Sequence, residues 1–161
     1  MQKNDYLPKI VAGELTTALA IDEGNHHDPF AIETTAIIDE DQWILNGKKV
    51  FVVDGASADI LLLAARTSGK SGESNGISVF AVNKDTTGLN ITKISTADSR
   101  NYANIEISDL KLEQSALLGE QDLAGETLEK ILDLGRIAIS AEMLGNTCLL
   151  YTSPSPRDLS T

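Results

Sequence analysis

The sequence predicts a mainly β fold with flanking helices: an antiparallel, barrel-like domain preceded by a short helix and followed by one long helix. Three observations carry this. Short apolar and β-branched runs separated by turn residues recur from about Leu15 to Leu112 without intervening helices. Asn46-Gly47 sits between two of those runs, a dipeptide that tolerates the positive φ of a tight hairpin turn. After Asp122 the apolar period changes from two to three and four, the period of a helix.

Taken in order, Met1 to about Val11 reads as a short helix, with Tyr6, Leu7, Ile10 and Val11 at helical spacing and Gly13 as its stop. Leu15 to Ile21 is a strand that breaks at the polar run Asp22-Glu23-Gly24-Asn25-His26-His27-Asp28-Pro29. Thr34 to Asp39 and Trp43 to Val53 follow as strand signals. With a two-residue turn at Asn46-Gly47, Leu45 would face Lys48, Ile44 would face Lys49 and Trp43 would face Val50. Alternation would then set Phe51 and Val53 on one face and Val50 and Val52 on the other.

Asp59 to Arg66 is the next strand, and its run Ile60-Leu61-Leu62-Leu63 predicts burial on both faces. The Ser- and Gly-rich stretch Thr67 to Asn75 reads as a flexible connector. Ile77 to Val82, Leu89 to Ile94, Asn104 to Ile107 and Leu110 to Leu112 complete the strands. From Asp122 to about Asn146, Leu128, Ile131, Leu132, Gly135 and Ala138 define a long helix. Gly135, Ala138, Ala141 and Gly145 form a stripe of small residues on it. Cys148 to Thr161 has no periodicity and two Ser-Pro steps, and is read as a non-native tail.

Composition narrows the partners. Of 161 residues, 13 are Lys or Arg and 24 are Asp or Glu, a net charge of −11. Such a chain repels phosphate backbones, which argues against nucleic acid. No apolar run approaches the roughly 20 residues of a membrane span. The single Cys148 excludes an internal disulfide, and a cytoplasmic, reducing location is expected. His26, His27 and Asp28 are metal-ligand types, but adjacent histidines without a third spaced ligand give no metal set.

"LNGKKVFVVDG", then "ADILLLAAR", "GISVFAV" and "GLNI", resembles the middle β-domain of the acyl-CoA dehydrogenase family, which reads L-N-G-x-K-x-W-I-T-N-G, a strand ending in A-R, then G-I-x-x-F-x-V. The likeness runs from about Tyr6 to about Thr147. It implies the end of an N-terminal helical domain over residues 1–14, the middle β-domain over 15–116, the first helix of a C-terminal helical domain over 117–147, and the tail over 148–161. The resemblance also implies an FAD-dependent oxidoreductase that desaturates an acyl-CoA thioester, passes electrons to an acceptor flavoprotein and is a homo-oligomer at full length.

Implied cofactor-binding residues are Ile21, Asp22, Asp28, Phe51 and Val53. The family's T-E-P-x-x-G-S-D loop is matched here by Glu23, with Asp22 in place of Thr and Gly24 in place of Pro. A variant branch with a D-E-G-x-x-H-D-P-like loop is the better likeness. Phe51 and Val53 stand where the family has the Trp and Thr that face the flavin, although by spacing alone they are plain core. Asp133 and Arg136, three apart on one helix face, match the family's D-x-x-R that contacts the CoA moiety, and equally make a surface ion pair. Arg100, in Asp98-Ser99-Arg100, resembles a turn of the variant branch. No residue matches the family's general-base glutamate, so no catalytic residue is expected in these 161 positions. A non-catalytic subunit of the same fold that has lost flavin is the alternative.

Overall fold

The computed structural model describes residues 2–98 and 100–153. The tail prediction for Pro154 to Thr161, and Ser99 of the Asp98-Ser99-Arg100 turn, lie outside the described residues. The elements are α1 (Gln2–Val11), β1 (Thr17–Ala20), β2 (Thr35–Asp39), β3 (Gln42–Val53), β4 (Ile60–Arg66), β5 (Ile77–Asn83), β6 (Leu89–Ile94), β7 (Tyr102–Glu113), a 3₁₀ turn (Gln114–Ala116), β8 (Leu117–Leu118) and α2 (Ala124–Thr152). The chain divides into two compact units, Met1–Glu126 and Thr127–Thr161.

In the first unit the eight strands form one sheet in the order β6-β7-β3-β2-β4-β5-β8, an open path, with β1 added alongside β4. Most pairings are antiparallel, as the sequence predicts. Two are not: β1 runs parallel to β4 from Thr17↔Ile60 to Ala20↔Leu63, and Thr35 of β2 meets Arg66 at the end of the same edge. Asp59 closes the β1 end of this junction, accepting the Thr16 N–H at 3.0 Å and its hydroxyl at 2.8 Å.

The core gathers Trp43 and Leu45 of β3, Leu61 and Leu63 of β4, Phe80 and Val82 of β5, and Ile105 and Ile107 of β7. Trp43 meets Phe80 edge to face with ring centroids 5.2 Å apart, a geometry that adds about 0.5–1.5 kcal/mol to simple burial. On β4 only Leu61 and Leu63 of the leucine run are fully buried, while Ile60 and Leu62 are half-buried. Helix α1 ends before Gly13, whose φ of 72° lets the chain turn out of the helix. Its first residue ties it to the 3₁₀ region, the Gln2 amide donating to the carbonyls of Ser115 (2.7 Å) and Leu117 (2.8 Å).

The hairpin expected at Asn46-Gly47 is not there. The strand β3 runs straight through those residues, pairing with β2 on one edge and β7 on the other. The turn lies earlier, at Glu40-Asp41, with Asp39↔Gln42 as the closing pair and Glu40 at φ 53°. The pairings Leu45–Lys48, Ile44–Lys49 and Trp43–Val50 fall with it: Ile44 faces Ile37 and Lys111, and Lys49 faces Ile105.

The sequence has another use for Asn-Gly. The ladder to β7 slips between Leu45 and Gly47, leaving an extra residue in β7 at Asp109, whose φ is 46°. Asn46 closes that bulge from both sides, donating to Asp109 Oδ1 (3.1 Å) and accepting the Asp109 N–H (2.8 Å). Gly47 has φ 154° and lies against Thr34, where a Cβ would come within 2.7 Å of the Thr34 Cα. The same bulge explains why Asn104–Ile107 and Leu110–Leu112 read as two strands and form one.

The second unit is helical. Helix α2 extends to Thr152, six residues beyond the expected end at Asn146 and into the stretch read as tail. Leu134, Ile137, Met143 and Leu144 are exposed along it.

Candidate functional site

The loop between β1 and β2 forms one wall of an open cleft, and two buried cations hold that loop in place. The first is Lys49, whose side chain is 0% exposed. Its ammonium donates to Glu23 Oε1 at 2.6 Å and to the Ile21 carbonyl at 3.1 Å. Glu23 in turn accepts the backbone N–H of Glu33 (2.7 Å) and of Thr34 (3.0 Å), so the carboxylate spans both ends of the loop. Burial alone would raise the Glu23 pKa, but the Lys49 ammonium and these donors outweigh it and hold the acid below its ordinary value. At Lys49 burial is the larger effect and pushes the ammonium down, with Glu23 offsetting part of it.

The second cation is Arg66, at the end of β4. Its Nε donates to the Ile32 carbonyl (3.0 Å) and its terminal nitrogens to the carbonyls of Phe30 (3.0 Å), Glu73 (3.1 Å) and Asn75 (3.0 Å). A planar fork with five donors suits this, since it can satisfy several carbonyls at once without a carboxylate. The Ser- and Gly-rich connector expected to be flexible is therefore tied to the cleft loop, with the Gly72 N–H also reaching the Phe30 carbonyl at 2.8 Å.

The floor of the cleft comes from a second bulge. Four residues of β3, from Lys49 to Val52, span three of β7, from Ile105 to Ala103. The extra residue leaves Phe51 at φ 55°, and its N–H is taken by Asn104 Oδ1 at 3.1 Å. The bulge swaps the strand's phase: Val52 points into the core while Phe51 and Val53, 55% and 52% exposed, point out together. Phe51 packs against Tyr102 with ring centroids 4.7 Å apart.

The cleft has a volume of about 690 Å³ and is lined by Asp22, Gly24, Asn25, His26, His27, Val50, Phe51, Val53, Ile94 and Asn104. Its floor is apolar and carries an aromatic face. Its rim holds Asp22, whose two carboxylate oxygens both lie 3.0 Å from His27 Nδ1. No lysine or arginine is among these lining residues.

Of the residues singled out in the sequence, Asp22, Phe51 and Val53 come together in this cleft. Ile21 is buried beside it and contributes its carbonyl to Lys49. Asp28 stands outside the lining, exposed, with Oδ1 3.4 Å from the Phe30 N–H. Asp133 and Arg136 are on α2 in the other unit, joined by an exposed ion pair of 2.6 Å. Arg100 donates its backbone N–H to Asp98 Oδ1 at 3.2 Å, an interaction within the turn. Among the described residues no group of three or more His, Cys, Asp or Glu is placed to hold a metal, and no helix is long and apolar enough to cross a membrane.

Residues 18–114 match the profile of the acyl-CoA dehydrogenase middle domain. This chain belongs to the acyl-CoA dehydrogenase family. It is 32% identical over 148 residues to the mitochondrial short-chain specific acyl-CoA dehydrogenase of Sus scrofa, covering 89% of this chain and 36% of that protein. It is 34% identical over 150 residues to a 3-(aryl)acrylate reductase of Clostridium sporogenes, covering 89% and 39%. Among solved structures, a chain from the electron transferring flavoprotein study of Acidaminococcus fermentans superposes with a TM-score of 0.80 at 32% identity, covering 89% of this chain and 39% of that one. The chain thus spans well under half the length of these relatives.

Sequence reasoning missed Lys49, Arg66 and Asn104. A Lys on the inward phase of Trp43 and Leu45 in an apolar strand, and a strand ending in Arg, were the available signals for the first two. Nothing local marks Asn104, whose role exists only because β3 carries an extra residue opposite it.

Proposed function

We propose that this chain forms the flavin-binding β-domain of an acyl-CoA dehydrogenase-like oxidoreductase acting on an acyl-CoA thioester. The observation that carries this reading is the cleft over the end of β3, in which Phe51, Val53 and Asp22 meet on a chain of that family. The cleft fits the flat ring of FAD: an aromatic face from Phe51, apolar contacts from Val50 and Ile94, and polar rim groups at Asn25, His27 and Asn104. FAD bound there would accept the hydride from the β-carbon of the substrate. The chain's own contribution is positioning and exclusion of water. Phe51 stacks, Val53 gives shape without a hydrogen bond, and Ile21 holds the loop through Lys49. Asp28 stiffens the far end of that loop. The diphosphate of FAD needs a positive partner that the lining residues do not include.

Arg136, held by Asp133, is the candidate for the CoA moiety, where a guanidinium can meet phosphate or stack on a purine. An acceptor flavoprotein, a homo-oligomeric assembly and a cytoplasmic location complete the proposal. A second reading, a flavin-free subunit of the same fold, is favoured by Val53, which cannot donate a hydrogen bond, and by the carboxylate of Asp22 on the rim.

The test is flavin titration of the purified protein, followed by the flavin absorbance band and by fluorescence. Binding that weakens about tenfold in Phe51→Ala, the worth of one good aromatic contact, is the expected result. Flavin absorbance and fluorescence that the protein leaves unchanged at saturating FAD would overturn the flavin reading in favour of the second. With a panel of acyl-CoA thioesters and an artificial electron acceptor, the 161-residue chain alone is expected to give no turnover, because no residue here matches the family's base and a positioned base contributes roughly 10²–10⁴-fold in rate. Turnover above the protein-free control would show that the active site is complete within these residues.

A further inference from the structure

We propose that Arg66 joins the cleft loop and the connector of residues 67–76 into one strap that docks and releases as a unit, so that the exposed connector sets how firmly the cleft wall is held. Arg66 is 8% exposed, and among the described residues its side-chain hydrogen bonds all go to carbonyl oxygens. In the cleft loop, Nε donates to Ile32 and Nη2 to Phe30, both at 3.0 Å. In the connector, Nη2 donates to Glu73 (3.1 Å), and Nη1 to Asn75 (3.0 Å) and Ser68 (3.5 Å). One buried cation is therefore solvated by two loops at once. If either loop leaves, the guanidinium keeps its charge while part of its donors lose their partners, which costs more than those bonds contribute when made. Each loop stabilises the other through that shared cost. The Gly72 N–H on the Phe30 carbonyl, at 2.8 Å, ties them directly, and the fully buried Ile32 adds apolar contact to the docked state.

The connector has the form of a handle. Residues 68–75 are exposed, while both stems are fixed. The Thr67 and Ser68 hydroxyls donate to Asp122 Oδ1 at 2.6 and 2.7 Å, and the Gly76 N–H donates to the Asp122 carbonyl at 3.0 Å. On the cleft side, Asp22 and residues 24–27 line the cavity. The loop has a separate anchor where Glu23 accepts the N–H groups of Glu33 and Thr34. Release at Arg66 thus frees residues 24–32 between Glu23 and Glu33, while the sheet and the Lys49–Glu23 pair stay in place. The strap has two states, docked and released. Strain or binding that favours one state at the connector favours it by the same factor at the cleft wall.

The test is hydrogen exchange of the whole chain followed by NMR. It reads the Glu73 amide in the connector and, in the cleft loop, the Ala31 amide and the Arg66 Nε–H held by Ile32. Gly72→Ala is the probe. Gly72 has φ 93°, where a side chain is strained, yet a Cβ there would meet nothing within 4 Å. Release relieves that strain, so exchange at Glu73 should rise about tenfold. Ala31 and the Arg66 Nε–H should rise by the same factor, although the substitution is in the other loop. The Glu33 and Thr34 amides should keep their wild-type rates. A rise confined to the connector, no rise at all, or an equal rise at Glu33 and Thr34 would overturn the proposal. Arg66→Lys replaces the fork by one ammonium and should uncouple the loops. On that background Gly72→Ala should still speed Glu73 and leave Ala31 unchanged, and persistence of the joint rise would remove Arg66 from its role. If a variant does not fold, the wild type decides. Under rising, sub-denaturing concentrations of urea the three reporters should share one opening free energy and one urea dependence, and separate curves reject the strap.

Discussion

The ladder between β3 and β7 contains two bulges closed by the same device and put to opposite uses. In the first, the extra residue is in β7 at Asp109, and Asn46 of β3 satisfies it. In the second, the extra residue is in β3 at Phe51, and Asn104 of β7 takes its N–H. Both strained residues sit at positive φ without being glycine, 46° and 55°, a conformation that costs on the order of 1 kcal/mol for a residue with a Cβ. The difference is which strand changes phase. Slack in β7 leaves the inward series of β3 intact, so Trp43, Leu45 and Lys49 all stay on the buried side. Slack in β3 inverts its own series, sends Val52 inward and turns Phe51 and Val53 out to floor the cleft. The first bulge keeps the core continuous, and the second opens a site.

Lys49, the last residue before the phase inverts, is where the comparison breaks most severely. Lys49→Met would leave Glu23 buried with no cation, and removing one partner of a buried pair costs about 3–5 kcal/mol. Chemical denaturation should register this as a large drop in midpoint. The double variant Lys49→Met with Glu23→Gln should recover most of it, because the amide oxygen can still accept the Glu33 and Thr34 N–H groups. The pH dependence has a definite sign. Glu23 is held below its ordinary 4.5 in the folded chain, so its contribution is fully present above that value and is lost as pH falls through the folded pKa. Wild-type stability should decline below about pH 4.5, and the double variant should show a shallower decline there. Equal acid slopes in the two proteins would mean that Glu23 is not the group responsible.

How far the sequence reveals this architecture follows from the range over which each signal acts. Strand runs and both helices are visible because period and turn residues are local. Asn46-Gly47 misleads because the same two residues suit a tight turn and a bulge beside a close backbone approach. Only the position of Thr34, thirteen residues earlier, decides between them. Phe51 and Val53 share a side by strand alternation, but it is the second bulge, not a hairpin, that makes that side the outer one. Arg66 could be seen as a strand end, yet its carbonyl partners lie in two loops whose positions no local pattern contains. The family resemblance pointed to the Asp22 loop, while the His27 partner of Asp22 is a fact of the loop's conformation.

A middle-sized effect is expected at the first bulge. Asn46→Ala removes two hydrogen bonds to Asp109, each worth about 1 kcal/mol, so roughly 2 kcal/mol of stability should go. Affinity for FAD should stay at the wild-type value, because Asn46 lies outside the cleft lining. A loss of FAD affinity matching that of a cleft variant would show that the two bulges are mechanically coupled along β3.

The smallest change in stability and the most specific change in the site belong to Asn104. Its Oδ1 accepts a single hydrogen bond, from Phe51, so Asn104→Ala should cost only about 1 kcal/mol. That bond also helps hold Phe51 at positive φ, with its ring against Tyr102 and its exposed face toward the cleft. Without it, the strand can relax toward regular pairing, which would turn Phe51 inward and Val52 outward. FAD affinity should therefore fall by more than the stability loss accounts for, whereas Asn46→Ala shows the reverse. Asn104→Asp supplies the control: it retains the acceptor and adds a negative charge, so the phase of β3 should persist while binding of the anionic cofactor weakens. The two cases separate by the environment of Phe51, read as the chemical shifts of its ring protons next to Tyr102. Those shifts should stay in place in Asn104→Asp and move in Asn104→Ala. If neither substitution moves them, the bulge is held by the rest of the ladder, and Asn104 is only a lining residue of the cleft.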